Sequence, residues 1–184
     1  MSDTGKIVGF AASFGAAGLA VAALAVSVIE TRIMREEQHM SVWPRLVAAT
    51  SRINDGFVVV LQNKGLGPAQ IRAVRVRTPG RVHTEWFPAF EALLGHAPPN
   101  FYFSTIGGAV LMPGEEVHAV TMPGGGSADS LQVASADLGL DICYCSAYDD
   151  CYWLTDPRLG AARSHQSTAE AETCDVPEHE RFLM

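Results

Sequence analysis

A chain of 184 residues with 13 Lys+Arg against 20 Asp+Glu has a formal net charge of −7. Only Asp3 and Lys6 are charged before Glu30, so the acidic excess belongs to the downstream part. Such a surface repels phosphate backbones, which argues against nucleic-acid binding.

The first element is a hydrophobic run. From Ile7 to Ile29 the chain reads IVGFAASFGAAGLAVAALAVSVI, 23 residues without a charge. As a helix this covers roughly 34 Å, against a hydrocarbon core of about 30 Å. Ala23-Leu24-Ala25 offers small residues for signal-peptide cleavage, but the apolar core of a signal peptide is usually about 7–15 residues. An uncleaved transmembrane helix over 7–29, preceded by a tail over 1–6, is therefore expected. Small residues recur along it, and Gly15, Gly18 and Ala22 supply a face on which another membrane helix can approach closely.

Orientation sets two signals against each other. Arg32, Arg35 and Arg45 follow the run and Lys6 precedes it, which favours a cytoplasmic C-terminal side. Cys143, Cys145, Cys151 and Cys174 gather in the last quarter of the chain, which favours an oxidising compartment. The cysteines decide for an extracytoplasmic domain.

Beyond the run, ETRIMREEQHM contains no Gly or Pro, and a helical stalk over 30–43 is expected to stop before Pro44. The remaining domain, 44–157, changes to a strand-like period. Phe57–Leu61 and the stretch containing Ile71, Val74 and Val76 predict strands, with Asn63-Lys64-Gly65-Leu66-Gly67-Pro68-Ala69 as a turn between them. The two glycines are expected to answer a backbone need there, such as positive φ. Trp86–Leu94 predicts a helix, with Phe87, Phe90, Leu93 and Leu94 on one face and Gly95 as its stop. Further strands are predicted at Phe101–Thr105, Val117–Met122, Leu131–Ser135, Leu140–Cys145 and Tyr152–Thr155, with turns at Pro113-Gly114 and Gly124–Ser127. Many short strands between turn signals predict a mainly β fold, an immunoglobulin-like antiparallel sandwich with one short helix. Residues 158–184 read as an extended tail, tied down if Cys174 is bonded.

Ser41-Val42-Trp43-Pro44, Asn63-x-Gly65-x-Gly67-Pro68-Ala69, Cys143-Tyr144-Cys145-Ser146 and Cys151-Tyr152-Trp153 together resemble a group of bacterial single-pass membrane proteins. In that group a short stalk precedes a small β-rich domain. The resemblance covers roughly residues 5–155 and implies an architecture, with no activity to carry over.

The Cys-Tyr-Cys-x5-Cys cluster carries the candidate chemistry. In a strand, Cys143 and Cys145 point to one face, and Ser146–Asp150 is a hairpin loop's length. Cys145 with Cys151 would staple that hairpin, and Cys143 with Cys174 would capture the tail. The alternative is a thiolate site for Cu(I) or zinc at Cys143, Cys145 and Cys151, helped by Met112, Met122, His83 or His118. The Cys-x-Cys pair also resembles that of the copper chaperones of cytochrome oxidase assembly, which join one membrane helix to an immunoglobulin-like domain. Ser146 stands where that family has an aromatic residue.

No other pattern points to catalysis. Ser127 and Ser146 lack a G-x-S-x-G context, and Gly124-Gly125-Gly126 lacks the Lys-Ser/Thr of a phosphate loop. The expectation is a non-catalytic accessory or assembly subunit of an integral membrane protein complex, with a copper-handling or thiol-redox assembly factor using Cys143, Cys145 and Cys151 as the alternative. It would sit in the lipid bilayer of a bacterial inner membrane, with a periplasmic domain, no cofactor and no nucleic-acid partner.

Overall fold

The computed structural model describes residues 21–35, 42–161 and 165–182. The chain divides into two compact units, Met1–Ser41 and Val42–Met184. In the first, residues 21–35 are helical (α1), so the helix passes Ile29 into the polar residues after it. Among the described residues no helix is long and apolar enough to cross a membrane; residues 7–20 of the expected span lie outside them.

The second unit starts from a hairpin. β1 (Leu46–Ile53) and β2 (Gly56–Asn63) pair antiparallel with Ile53 opposite Gly56. Asn54 and Asp55 between them both have positive φ, 49° and 60°, a two-residue turn whose twist matches that of the strands it joins. β3 (Ala69–Thr78) sends Ala69 and Ile71, then Val74 and Val76, into the core. The spacing of three between Ile71 and Val74 breaks the period of two because a bulge at Arg72 inserts one residue against the partner strand. Ala73, Arg75 and Arg77 consequently share the opposite face.

β4 (Arg81–His83) returns on β3, and α2 (Trp86–Leu94) follows, closed by Gly95 at φ 75°. Its inward residues are Trp86, Ala89 and Phe90, whereas Phe87 is exposed, so the apolar face is rotated from the one predicted. β5 (Tyr102–Phe103), β6 (Val110–Leu111) and β7 (Glu116–Met122) come next. Residues 131–134, predicted as the start of a strand, belong instead to α3 (Gly126–Ala134), with Ser135 at its C-cap. Val133 there is exposed while Ala128 and Leu131 are buried, a helical spacing of three that a short apolar run disguises.

β8 (Gly139–Cys145), β9 (Cys151–Asp156) and β10 (Ser167–Ala171) complete two antiparallel sheets. One has the order β1-β2-β7-β5; the other runs β10-β9-β8-β3-β4, with β6 also on β3. Their inner faces share one core with α2 and α3, in which Phe57, Leu61, Ile71, Trp86, Phe90, Leu131, Ile142 and Tyr144 are buried.

Every residue of β8 is buried, on both faces. Leu140, Ile142 and Tyr144 meet the core, and the opposite face, with Asp141, Cys143 and Cys145, is covered by the end of the chain. That end is more than an extended tail. It adds β10 to the sheet edge, buries Val176 against Ala73 and Cys143, and pairs Glu180 with Arg75 at 3.3 Å. It also docks Phe182, whose N–H donates to the Val74 carbonyl (3.2 Å) and whose ring lies 5.0 Å edge-on from Trp86.

Candidate functional site

The β8–β9 hairpin sets the sulfur cluster. Ser146 ties the loop: its hydroxyl accepts from the Tyr148 and Asp150 N–H groups (3.1 and 3.2 Å), and its own N–H donates to the Asp150 carbonyl (2.8 Å). Asp149 takes positive φ, 62°. The loop holds Cys145 directly opposite Cys151 in the strand register, with Cα atoms 4.0 Å apart, and these two form one disulfide. Cys143, two residues back on the same face, bonds Cys174 and anchors the tail. All four cysteines are bonded. Cys145 Sγ also lies 3.7 Å from Cys174 Sγ, so the two disulfides touch.

Around them the covered face of the sheet is ionic. The buried Asp141 carboxylate accepts from Arg77 at 2.7 Å and faces Arg75 at 3.6 Å. Arg75 reaches Glu180 on the tail and lies 4.9 Å over the Trp153 ring. The tail is thus held by a covalent bond, an ion pair and apolar burial along one line.

A second feature lies where the sheet edges β1 and β10 face each other. In β1 the N–H and C=O groups of alternate residues turn away from β2. At Ala48 both are taken by the side-chain amide of Gln166, which accepts from the Ala48 N–H at 3.3 Å and donates to its carbonyl. One glutamine thereby substitutes for a rung of strand pairing. Beside it is a cleft of about 490 Å³ lined by Trp43, Arg45, Tyr152, Gln166, Thr168 and Glu170, among others. Trp43 and Tyr152 meet edge-on at 6.4 Å, and Tyr144 lies behind Tyr152 at 5.7 Å. The buried Tyr144 hydroxyl faces the Leu46 backbone and Thr168 without closing a well-aligned hydrogen bond. Burial first, then the Asp150 and Glu170 carboxylates, push the Tyr152 phenol above its usual range. The cleft therefore combines neutral aromatic surface with one cation and one carboxylate, a lining that binds by packing and hydrogen bonding.

The Asn-x-Gly-x-Gly-Pro-Ala segment supports the entry to that cleft. Asn63 is wholly buried, and its side chain is fully used. Its amide donates to the Gly67 and Leu111 carbonyls (2.8 and 2.9 Å), and its oxygen accepts from the Gly65 and Arg45 N–H groups (2.9 and 3.2 Å). Gly65 and Gly67 are not among the positive-φ glycines. Space is what they provide: a Cβ on Gly67 would overlap the Val42 backbone, and one on Gly65 would overlap Trp43 and Arg45. The expectation of positive φ is thus corrected to one of close backbone approach.

The remaining residues singled out from the sequence do not converge. Gly15 and Gly18 lie outside the described residues, and Ala22 is an exposed position of α1. Among the candidate metal ligands, Met122 is buried in the core, Met112 is exposed after β6, and His118 faces Glu116 at 3.5 Å on β7. His83 is buried against the Thr78 hydroxyl at 2.7 Å. The sulfurs of Cys145, Cys151 and Cys174 gather within 4.8 Å, but as disulfides they present no thiolate to a metal. Gln166, Thr168 and Glu170 were not visible as site residues, because nothing in the composition of the tail announces a strand.

No protein-family model, no curated protein and no solved structure matches this chain.

Proposed function

We propose that the chain is a non-catalytic accessory or assembly subunit of an integral membrane protein complex. Residues 7–29 would anchor it in a bacterial inner membrane, and an immunoglobulin-like sandwich would act as its recognition module on the periplasmic side. One observation carries the reading: a 23-residue uncharged run and a domain closed by two disulfides occur in one chain. The first is the length of a membrane span, and the second is stable outside the reducing cytoplasm. The cleft supports a binding role, because its aromatic floor, Arg45 and Glu170 suit an extended protein segment at the rim of two sheet edges.

In the membrane, Gly15, Gly18 and Ala22 would supply the face that meets the partner helix. Affinity purification from native membranes in mild detergent tests this. The wild-type chain should retain integral membrane proteins, and Gly15→Leu with Gly18→Leu should release them while the protein stays in the membrane fraction. Retention of the same proteins by the double variant would place the contact elsewhere, and recovery of the wild-type chain alone would refute the subunit reading.

A further inference from the structure

The two disulfides are close enough to react with each other. Cys145 Sγ is in van der Waals contact with Cys174 Sγ, at 3.7 Å, although the two atoms belong to different bonds. The sulfurs of Cys145, Cys151 and Cys174 all lie within 4.8 Å of one another. Access is graded as well: Cys151 and Cys174 are half-buried, whereas Cys145 and Cys143 are buried. Cys151 and Cys174 are therefore the sulfurs open to an external thiol, and Cys151 belongs to the shorter of the two closed loops.

We propose that this cluster is a thiol–disulfide exchange site whose substrate is an external dithiol. A thiolate of the dithiol attacks Cys151 Sγ; a mixed disulfide forms there, the Cys145–Cys151 bond breaks, and its electron pair leaves on Cys145. The Cys145 thiolate then attacks the adjacent Cys174 Sγ, forming Cys145–Cys174 and expelling Cys143 as a thiolate, which takes a proton from solvent. The second thiol of the dithiol attacks its own sulfur in the mixed disulfide. This closes the dithiol's disulfide and releases Cys151, which is also protonated. Two electrons and two protons pass to the protein, and one disulfide remains.

The outcome differs from plain reduction of the hairpin. The tail stays tethered, but its partner on β8 changes from Cys143 to Cys145, whose sulfur it already touches, and the Ser146–Asp150 loop loses its staple. The site thus couples a reductant at the hairpin to the part of the chain that covers the sheet. This inference stands on the sulfur geometry alone and does not depend on the proposed partner complex.

The full chain in detergent is treated with one equivalent of dithiothreitol, blocked with iodoacetamide and mapped by mass spectrometry, with fragment spectra that separate Cys143 from Cys145. The expected product carries a Cys145–Cys174 bond with Cys143 and Cys151 alkylated. In a second arm, Cys151→Ser leaves one thiol beside one disulfide without any reductant, and both Cys143–Cys174 and Cys145–Cys174 isomers should be populated. Exchange is overturned if the first arm yields only Cys143–Cys174 with alkylated Cys145 and Cys151, and the variant holds Cys143–Cys174 alone.

Discussion

Gly67→Ala is the smallest change that tests whether the Asn63 segment is a close-packed joint. The added methyl would overlap the Val42 backbone, so the chain from Val42 to Arg45 must move aside. That segment is held by three main-chain hydrogen bonds: Leu66 N–H and Gly67 N–H to the Trp43 carbonyl (2.9 and 3.4 Å), and Lys64 N–H to the Arg45 carbonyl (2.7 Å). Each contributes about 1 kcal/mol net, and overpacking against backbone costs about 1–3 kcal/mol. Partial loss of the bonds plus residual crowding gives about 2–4 kcal/mol. For a domain of this size the melting midpoint moves roughly 3–4 °C per kcal/mol, so a fall of about 6–16 °C is expected. Thermal unfolding followed by tryptophan fluorescence provides the assay, since Trp43 belongs to the displaced segment. Gly80→Ala is the control: Gly80 has φ 75° but open space around its Cβ, so only the backbone penalty of about 1 kcal/mol applies. If Gly67→Ala melts within a degree or two of wild type, or no lower than Gly80→Ala, the close-approach argument fails.

Other consequences can be measured on the same domain. Asn63→Ala removes four hydrogen bonds at a buried site, taking the side-chain partner from the Gly67 and Leu111 carbonyls and from the Gly65 and Arg45 N–H groups, and should lower urea-unfolding stability by about 2–4 kcal/mol. Asp141→Asn should cost about 1–3 kcal/mol, because the carboxylate is buried while Arg75 and Arg77 keep about a third of their side-chain surface in water; an unchanged denaturation midpoint would show that this ionic joint contributes nothing. Burial first, and Arg81 second, lower the His83 pKa below its ordinary 6.5. The unfolded chain therefore binds the proton before the folded one, and stability should fall as pH drops below about 6.5 by at most about 1.4 kcal/mol per unit. His83→Gln should flatten that part of the profile relative to wild type. Cys174→Ser opens a loop of sequence separation 31 and should cost about 3–4 kcal/mol in the chain-entropy model, measured by urea unfolding under non-reducing conditions.

Legibility in the sequence followed local physics. Trp86–Leu94 with its Gly95 stop was readable because helix period and terminator agree, and Leu140–Cys145 because its side chains alternate; Val117–Met122 was readable as a strand although the register skips Ala119 and puts two adjacent residues in the core. Leu46–Ile53 was passed over because Thr50-Ser51-Arg52 interrupts its apolar run, although Asn54-Asp55-Gly56 carries the turn residues of a hairpin. The β10 strand STAEA has only its pairing with β9 to define it, and pairing is not written in a polar run. Asn63 illustrates the same limit at the site. Its neighbours Gly65 and Gly67 advertise a special backbone, but that the chain at Val42–Arg45 presses against them is a tertiary fact. The cysteines were more legible, since strand alternation and a loop of hairpin length restrict which sulfurs can meet; that the two resulting bonds touch was not.

Peptide mapping of the protein as it exists in the cell tests most directly the proposal that a disulfide-closed domain is carried on a membrane anchor outside the cytoplasm. Cells are quenched with a thiol-blocking reagent, membranes are washed with alkaline carbonate, and the chain in the pellet is digested without reduction. Cys143–Cys174 and Cys145–Cys151 peptides from the washed pellet are the predicted result. Four blocked thiols, or a chain released into the carbonate supernatant, would contradict the account.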